Sequence, residues 1–225
     1  MLLLLSYYDG KVYKGQNFAK IMKSQKKLIE MVCTGNNGRS PIAELIARNR
    51  LEEAGALEEY DSISSGTLVS VIKSGNFPIK AMNPIIEVAR NRGDVYNAQQ
   101  LEELDTALKE GDTETVKKYF SVAAKLFEEE EKISRGIVLR ELGIKGDVKS
   151  TQDQTVVRPN TVAIFVMDNE NYQRAQKIYE GSGYNPTMES LGVENSFGLV
   201  RDAYRGRVRQ LLERVPKVVD RILGA

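Results

Sequence analysis

The stretch Leu28-Ile29-Glu30-Met31-Val32-Cys33-Thr34-Gly35-Asn36-Asn37-Gly38-Arg39-Ser40-Pro41-Ile42-Ala43-Glu44-Leu45-Ile46 decides the fold. Leu28–Val32 is a short, largely apolar run of the kind found in a buried strand. Ile42, Leu45 and Ile46 then recur at helical spacing. Between them lies Cys33–Pro41, with glycines at 35 and 38, so the order is strand, glycine-bearing loop, helix. Ser40 is a natural N-cap, Pro41 suits the first helical position, and Gly55 can close a helix over Ser40–Ala54. A loop so placed turns its backbone N–H groups and the positive end of the helix dipole toward one spot. That spot suits an anion, phosphate above all.

The ends of the loop supply the chemistry. Cys33 stands at the carboxyl end of the strand, where converging N–H groups and Arg39 favour the thiolate, the nucleophilic form of cysteine. Arg39 offers a planar donor fork that matches two phosphate oxygens, which a lysine cannot do. Gly35 and Gly38 permit the tight backbone of a phosphate nest. Thr34, Gly35, Asn36, Asn37, Gly38, Arg39 and Ser40 are therefore the expected phosphate-binding residues.

The run C-T-G-N-N-G-R-S-P-I-A-E resembles the C-x5-R-S signature loop of the low-molecular-weight protein tyrosine phosphatase family, which includes related arsenate reductases and protein arginine phosphatases. The resemblance implies that Cys33 is the nucleophile and Arg39 the phosphate-binding arginine. It also implies that Ser40 stabilises the thiolate and that Asn36 braces the loop. Many members carry a second cysteine just before the arginine as a redox partner. Here that position is Gly38, so the protective disulfide is missing.

Composition narrows the setting. The chain has 225 residues, long enough for one well-packed domain with elaboration. Lysine and arginine number 32 against 31 acids, and a net charge of +1 gives no global pull toward nucleic acid or membrane. A single cysteine excludes an intramolecular disulfide and fits a reducing compartment. Met1–Leu5 is apolar but lacks a basic lead and soon meets Asp9 and Lys11, too short a run for a signal peptide. No other segment could span a bilayer, so a cytoplasmic location is expected. Histidine is absent and the carboxylates show no ligand-like clustering, so neither metal nor cofactor is expected.

The rest of the chain follows in order. Leu2–Tyr8, Asp9-Gly10 and Lys11–Tyr13 read either as a hairpin or as a loosely packed extension. Tyr60–Ser64 is a second strand, running into Ser64-Ser65-Gly66-Thr67, which resembles the family's Ser-Ala-Gly-Thr stretch beside the phosphate loop. It either hydrogen-bonds the loop from behind or simply ends the strand. Met82–Arg92 is a helix. The stretch from about 94 to about 144 is longer than its family counterpart and reads as an inserted helical hairpin, Ala98–Glu110 and Thr113–Glu131. Ser134–Leu142 follows as a further helix, either part of the insert or the family's second helix resuming. Glu128–Glu131 reads as a solvated helix face, with a lid over the site as the sharper alternative. Thr161–Asp168 is a continuous apolar strand, and Asp168 suits an N-cap for a helix over Glu170–Tyr179. Thr187–Gly192 is a fourth strand, and Tyr204–Leu223 is a long amphipathic helix bent by Pro216. The expected fold is α/β, a doubly wound four-stranded parallel sheet in a single domain over 1–225, with 1–27 as an extension.

The resemblance further implies a general acid from an Asp-Pro pair after the fourth strand. Here Asn195-Ser196 occupies that place, and an amide donates a hydrogen bond but not a catalytic proton. Glu194, one residue earlier, can serve if it turns inward, and Asp202 is a more remote candidate. Phe197 would wall an aromatic ester or only pack its loop. The implied activity is phosphomonoester hydrolysis of the phosphotyrosine type, on a phosphorylated protein or a small phosphoester. A phosphate-binding protein with little turnover is the alternative, and arsenate reduction is disfavoured because it needs further cysteines.

Overall fold

Cys33 stands where it does because alternate residues of its strand are buried on opposite sides. In a computed structural model that describes residues 5–8, 11–14, 25–75, 78–149, 153–195, 197–198 and 201–224, strands β3 (Lys27–Cys33), β4 (Tyr60–Gly66), β5 (Thr161–Val166) and β6 (Thr187–Ser190) form one parallel sheet in the order β4-β3-β5-β6. Ile29, Met31 and Cys33 face a core shared with Ala163, Phe165 and Met167. Helices α1 (Arg39–Glu53) and α7 (Arg201–Leu223) cover that face through Ile42, Ile46, Leu51, Val208, Leu211 and Val215. Val32, Ile164 and Val166 face the other way, under Ala175 and Tyr179 of α6 (Asn169–Tyr179). Burial on both faces explains why β5 reads as a continuous apolar run and β3 as one broken only by the buried Glu30 after Leu28, rather than as alternating patterns. The chain leaves β3 toward β4 on one side and later returns to β5 on the other. The carboxyl end of β3 therefore lies at the topological switch point, where open α/β sheets bind ligands.

Within this frame several expected boundaries shift. Helix α1 starts at Arg39 with Gly38 as its N-cap, so Ser40 and Pro41 lie inside the first turn and no side chain caps it. The Ser40 hydroxyl is directed at the loop instead. Helix α2 (Val69–Ser74) follows β4, and α3 (Ile79–Arg92) begins three residues before the expected Met82. Helix α4 (Ala98–Glu110) has the expected bounds, set by a capping box between Asn97 and Gln100 and by Gly111 at φ 75°. Helix α5 is a single element from Thr113 to Glu141, where two helices with a break after Glu131 were expected. Lys132-Ile133 contains no breaker, and Gly136 alone does not end a helix.

Helices α3, α4 and α5 share a second core of Met82, Ile86, Leu104, Val116, Tyr119 and Phe127. The far end of α5 leaves it, and Val138 and Leu139 are buried in the sheet core. One helix thus ties the two cores together across the edge of the sheet that carries Cys33. At the other end of the chain, β1 (Leu5–Tyr8) and β2 (Lys11–Lys14) pair antiparallel with Tyr8 opposite Lys11, while the Asp9-Gly10 turn lies outside the described residues. Among the described residues no helix is long and apolar enough to cross a membrane.

Candidate active site

β3 ends at Cys33, whose backbone is fixed on both sides. It pairs with Gly66 in the sheet, and its carbonyl accepts from the Thr67 amide at 2.9 Å. Gly66 is required there, since a Cβ would stand 2.8 Å from the Asn36 amide nitrogen and the Thr34 carbonyl. The chain then turns through Asn36 at φ 54°, a left-handed conformation that asparagine tolerates better than most residues. This turn brings the Asn36 amide back onto Cys33, with N–H to Sγ at 3.2 Å. From the first turn of α1, the Ser40 hydroxyl reaches the same sulfur at 3.0 Å. The Sγ atom is therefore held by two donors, the arrangement that stabilises a thiolate.

The Ser40 hydroxyl also lies 2.9 Å from Asn36 Oδ1 and 3.2 Å from the Ser65 carbonyl, three acceptors for one proton. Asn36 in turn donates from Nδ2 to the Ser64 carbonyl at 3.4 Å. The Ser64–Thr67 stretch does brace the loop from behind, but through its backbone. The Ser64 hydroxyl goes to Glu44 (2.6 Å), and that of Ser65 to the buried Glu30 (2.5 Å). Thr34 and Thr67 both donate to Asn171 Oδ1, at 3.3 and 3.0 Å, which ties the loop to α6.

Arg39 is buried beneath the loop. Its Nη1 donates at 2.7 Å both to Asp168 Oδ2 and to the Val193 carbonyl. Asp168 is the N-cap of α6, as expected, with Oδ1 accepting from the Asn171 amide and side chain at 2.9 and 2.7 Å. Both oxygens of Asp168 are thus engaged, and the carboxylate orients the arginine. Among the described residues, both fixed contacts of Arg39 use one nitrogen, so its Nε–Nη2 edge is the one left for an oxyanion.

The acid-loop residues lie elsewhere. Val193 is pinned to Arg39, but Glu194 beyond it has a side chain 76% exposed that pairs with Arg207 of α7. The inward turn expected of Glu194 is not made, because Arg207 offers it a partner at the surface. Asn195 is exposed as well, and its Oδ1 accepts from the Phe197 amide at 3.3 Å. Phe197 packs edge-on against Phe127 of α5, with ring centroids 5.8 Å apart, at the margin of the second core. Asp202 is exposed and pairs with Arg205.

In their place the structure brings two residues of α5 that the sequence reading missed. Arg135 donates to the Asn37 carbonyl at 2.7 Å. One turn earlier, the Glu131 carboxylate packs over Gly38 in the space a Cβ there would need. Glu131 is only 8% exposed, and burial raises its pKa, opposed by the nearby charges of Arg135 and Arg39. The acidic run is not a uniform solvated face. Glu130 pairs with Arg92, Glu128 with Lys132, and Glu131 turns to the phosphate loop. Gly38 was the available signal, since a residue without a side chain inside the loop leaves room for a side chain from elsewhere. Among the described residues no group of three or more histidine, cysteine, aspartate or glutamate side chains could hold a metal ion.

No family model matches the chain, and no curated protein matches it. Solved structures do. A low-molecular-weight phosphotyrosine phosphatase from Vibrio cholerae O395 superposes with a TM-score of 0.50 at 16% identity, over 88% of this chain and 97% of that one. The tyrosine phosphatase Wzb of Escherichia coli K30, solved with sulphate, gives a TM-score of 0.48 at 14% identity, over 88% and 99%. Vibrio vulnificus Wzb with benzylphosphonate gives 0.45 at 16% identity, over 88% and 99%. The four-stranded parallel sheet, the strand order and the C-x5-R-S loop at its switch point together make this chain one with the fold of the low-molecular-weight protein tyrosine phosphatases.

Proposed function

We propose that the protein hydrolyses phosphomonoesters through a cysteinyl-phosphate intermediate on Cys33. The observation that carries this reading is the pair of donors, the Asn36 N–H and the Ser40 O–H, that converge on Cys33 Sγ at the mouth of the loop. Sγ attacks phosphorus, the ester oxygen leaves with a proton, and water then displaces the thiolate from the phosphorylated cysteine. Arg39 and the amides of Thr34–Ser40 would hold the equatorial oxygens as charge builds on them. Asp168 and the Val193 carbonyl fix the guanidinium before substrate arrives, which reduces reorganisation during the reaction.

The finer reading, phosphotyrosine-type substrates on proteins or small esters, rests on the description of the Vibrio cholerae neighbour as a phosphotyrosine phosphatase. The exposed Asn195 supports the alternative of a phosphate binder with little turnover. We also read residues 1–225 as one phosphatase-like domain with 1–27 as an extension and about 94–144 inserted. The core that α4 and the first part of α5 build with α3 apart from the sheet supports this, while Val138 and Leu139 within that range join the sheet core. The test compares p-nitrophenyl phosphate turnover with orthovanadate binding in wild type and Cys33→Ser. Hydrolysis lost in the variant, with binding retained, is the expected result. Near wild-type turnover by Cys33→Ser would refute the covalent mechanism, and vanadate binding without wild-type turnover would favour the binder.

A further inference from the structure

The phosphate loop has a nucleophile and an arginine, but the carboxyl groups around it differ in what they can still do. Asp168 is committed through both oxygens, to Arg39 and to the start of α6. Glu30 lies on the opposite face of the sheet, paired with Arg158 at 2.8 Å. Glu44 accepts from Ser64, and Glu194 and Asp202 sit at the surface in ion pairs. Glu131 is different. Its carboxyl carbon lies 3.0 Å and its Oε2 3.4 Å from where a Cβ at residue 38 would stand, with Oε1 closer still. Position 38 lies inside the loop, directly before Arg39. Among the described residues no hydrogen bond ends on this carboxylate, although 92% of the residue is buried, since its relative exposure is 8%. The phenol of Tyr204 is buried beside it, and its oxygen has no hydrogen-bond partner among the described residues.

We propose that Glu131, delivered by α5 across Gly38, is the proton donor to the leaving oxygen and the base that activates water in the second step. This rests on the phosphatase reading above. In the first step the S–P bond forms from the Cys33 thiolate, the P–O ester bond breaks, and the departing oxygen takes the proton of the Glu131 carboxyl. In the second, the Glu131 carboxylate takes a proton from the attacking water, the new P–O bond forms and the S–P bond breaks. The thiolate and the protonated carboxyl are then restored.

The setting suits a carboxyl that cycles between the two forms. Burial raises its pKa, so the protonated acid persists at higher pH than for an exposed glutamate, while Arg135 and Arg39 keep the carboxylate accessible. The groups facing it are Arg135 and Glu128 on its own helix, Arg39 of α1 and Tyr204 of α7. A protonated Glu131 also removes the repulsion that a second negative charge would exert on a phosphate dianion at Arg39. Gly38 is the complement of this delivery, since any side chain there would push the carboxyl off the loop.

Glu131→Gln keeps the shape and removes the transferable proton. The readout is kcat/KM across a leaving-group series from p-nitrophenyl to alkyl phosphates, which reports the first chemical step. The expected loss is small for p-nitrophenyl phosphate, within about tenfold, and grows to roughly 10²–10⁴-fold for alkyl esters. A burst of p-nitrophenol should also appear, because hydrolysis of the cysteinyl phosphate slows. A residue that only supports the loop would lower all esters alike. Parallel leaving-group dependence in wild type and variant, with Cys33→Ser inactive, overturns the role of Glu131 and leaves the phosphatase reading standing. Wild-type protein that turns over no ester brings down both. Should Glu131→Gln fail to fold, Gly38→Ala decides, because its methyl displaces the same carboxyl. A steeper leaving-group dependence is expected, and an unchanged one in a folded variant overturns the proposal.

Discussion

Ser40→Ala removes one oxygen from the middle of the loop, and its effect on catalysis should exceed its effect on stability. The hydroxyl is buried, 3.0 Å from Cys33 Sγ and 2.9 Å from Asn36 Oδ1. A net hydrogen bond contributes about 1 kcal/mol to folding, and at this chain length about 1 kcal/mol lowers Tm by roughly 2–4 °C. In the reaction the sulfur is charged when it attacks and again when it is expelled from the cysteinyl phosphate. A hydrogen bond to a charged acceptor is worth about 1.5–3 kcal/mol, and about 1.4 kcal/mol is a factor of ten in rate. Turnover should therefore fall roughly tenfold to 150-fold, with orthovanadate binding little changed, because the anion is held by amides and Arg39. The assay is steady-state hydrolysis of p-nitrophenyl phosphate beside thermal unfolding of the same preparation. Ser64→Ala is the control. Its hydroxyl goes to the Glu44 carboxylate at 2.6 Å rather than to Cys33 Sγ, so its loss should leave turnover within about threefold. Ser40→Ala within twofold of wild type would refute the claim that this hydroxyl stabilises the thiolate.

Arg39→Lys should lose roughly 10²–10³-fold in kcat, the worth of one oxyanion donor, because lysine can keep the contact to Asp168 but not the second edge. Steady-state kinetics with unchanged thermal unfolding would check it. Glu194→Gln should leave kcat/KM within twofold for every leaving group, since that side chain is at the surface on Arg207, and an alkyl-selective loss would place the acid there instead. Phe127→Ala should destabilise by about 3–5 kcal/mol, because it empties the second core and removes the ring under Phe197. Urea unfolding measures that cost, and hydrogen exchange should show residues 193–195 and 197–198 loosening. Burial pushes the Glu30 carboxyl above the ordinary glutamate range despite Arg158. Its contribution is thus full below the ordinary value and is lost as pH rises through the raised one. Arg158→Met should cost about 3–5 kcal/mol at neutral pH and less in acid, where Glu30 is protonated, and a cost independent of pH in urea titrations would contradict this.

What the sequence determined by itself is local. Leu28–Val32 and Thr161–Val166 are apolar enough to be buried on both sides, which already calls for a parallel sheet covered by helices. The loop from Cys33 to Ser40 closes on itself within eight residues, so the donors on Cys33 Sγ come from residues three and seven positions away. Such contacts follow from chain geometry, and a short motif can specify them. The tertiary structure alone decided which distant side chains complete the site. Local pattern alone reads Ser40 as a helix cap, whereas the resemblance already implied the contact with sulfur that its hydroxyl makes. Glu194 and Glu131 are both glutamates in polar surroundings along the chain, yet one meets Arg207 at the surface and the other is pressed against Gly38. In Glu128–Glu131 all four residues are identical, so composition carries no face. Only the docking of α5, with Phe127 in one core and Val138 and Leu139 in the other, fixes the rotation that turns Glu131 inward. That rotation is set by packing between segments a hundred residues apart, which no local pattern encodes.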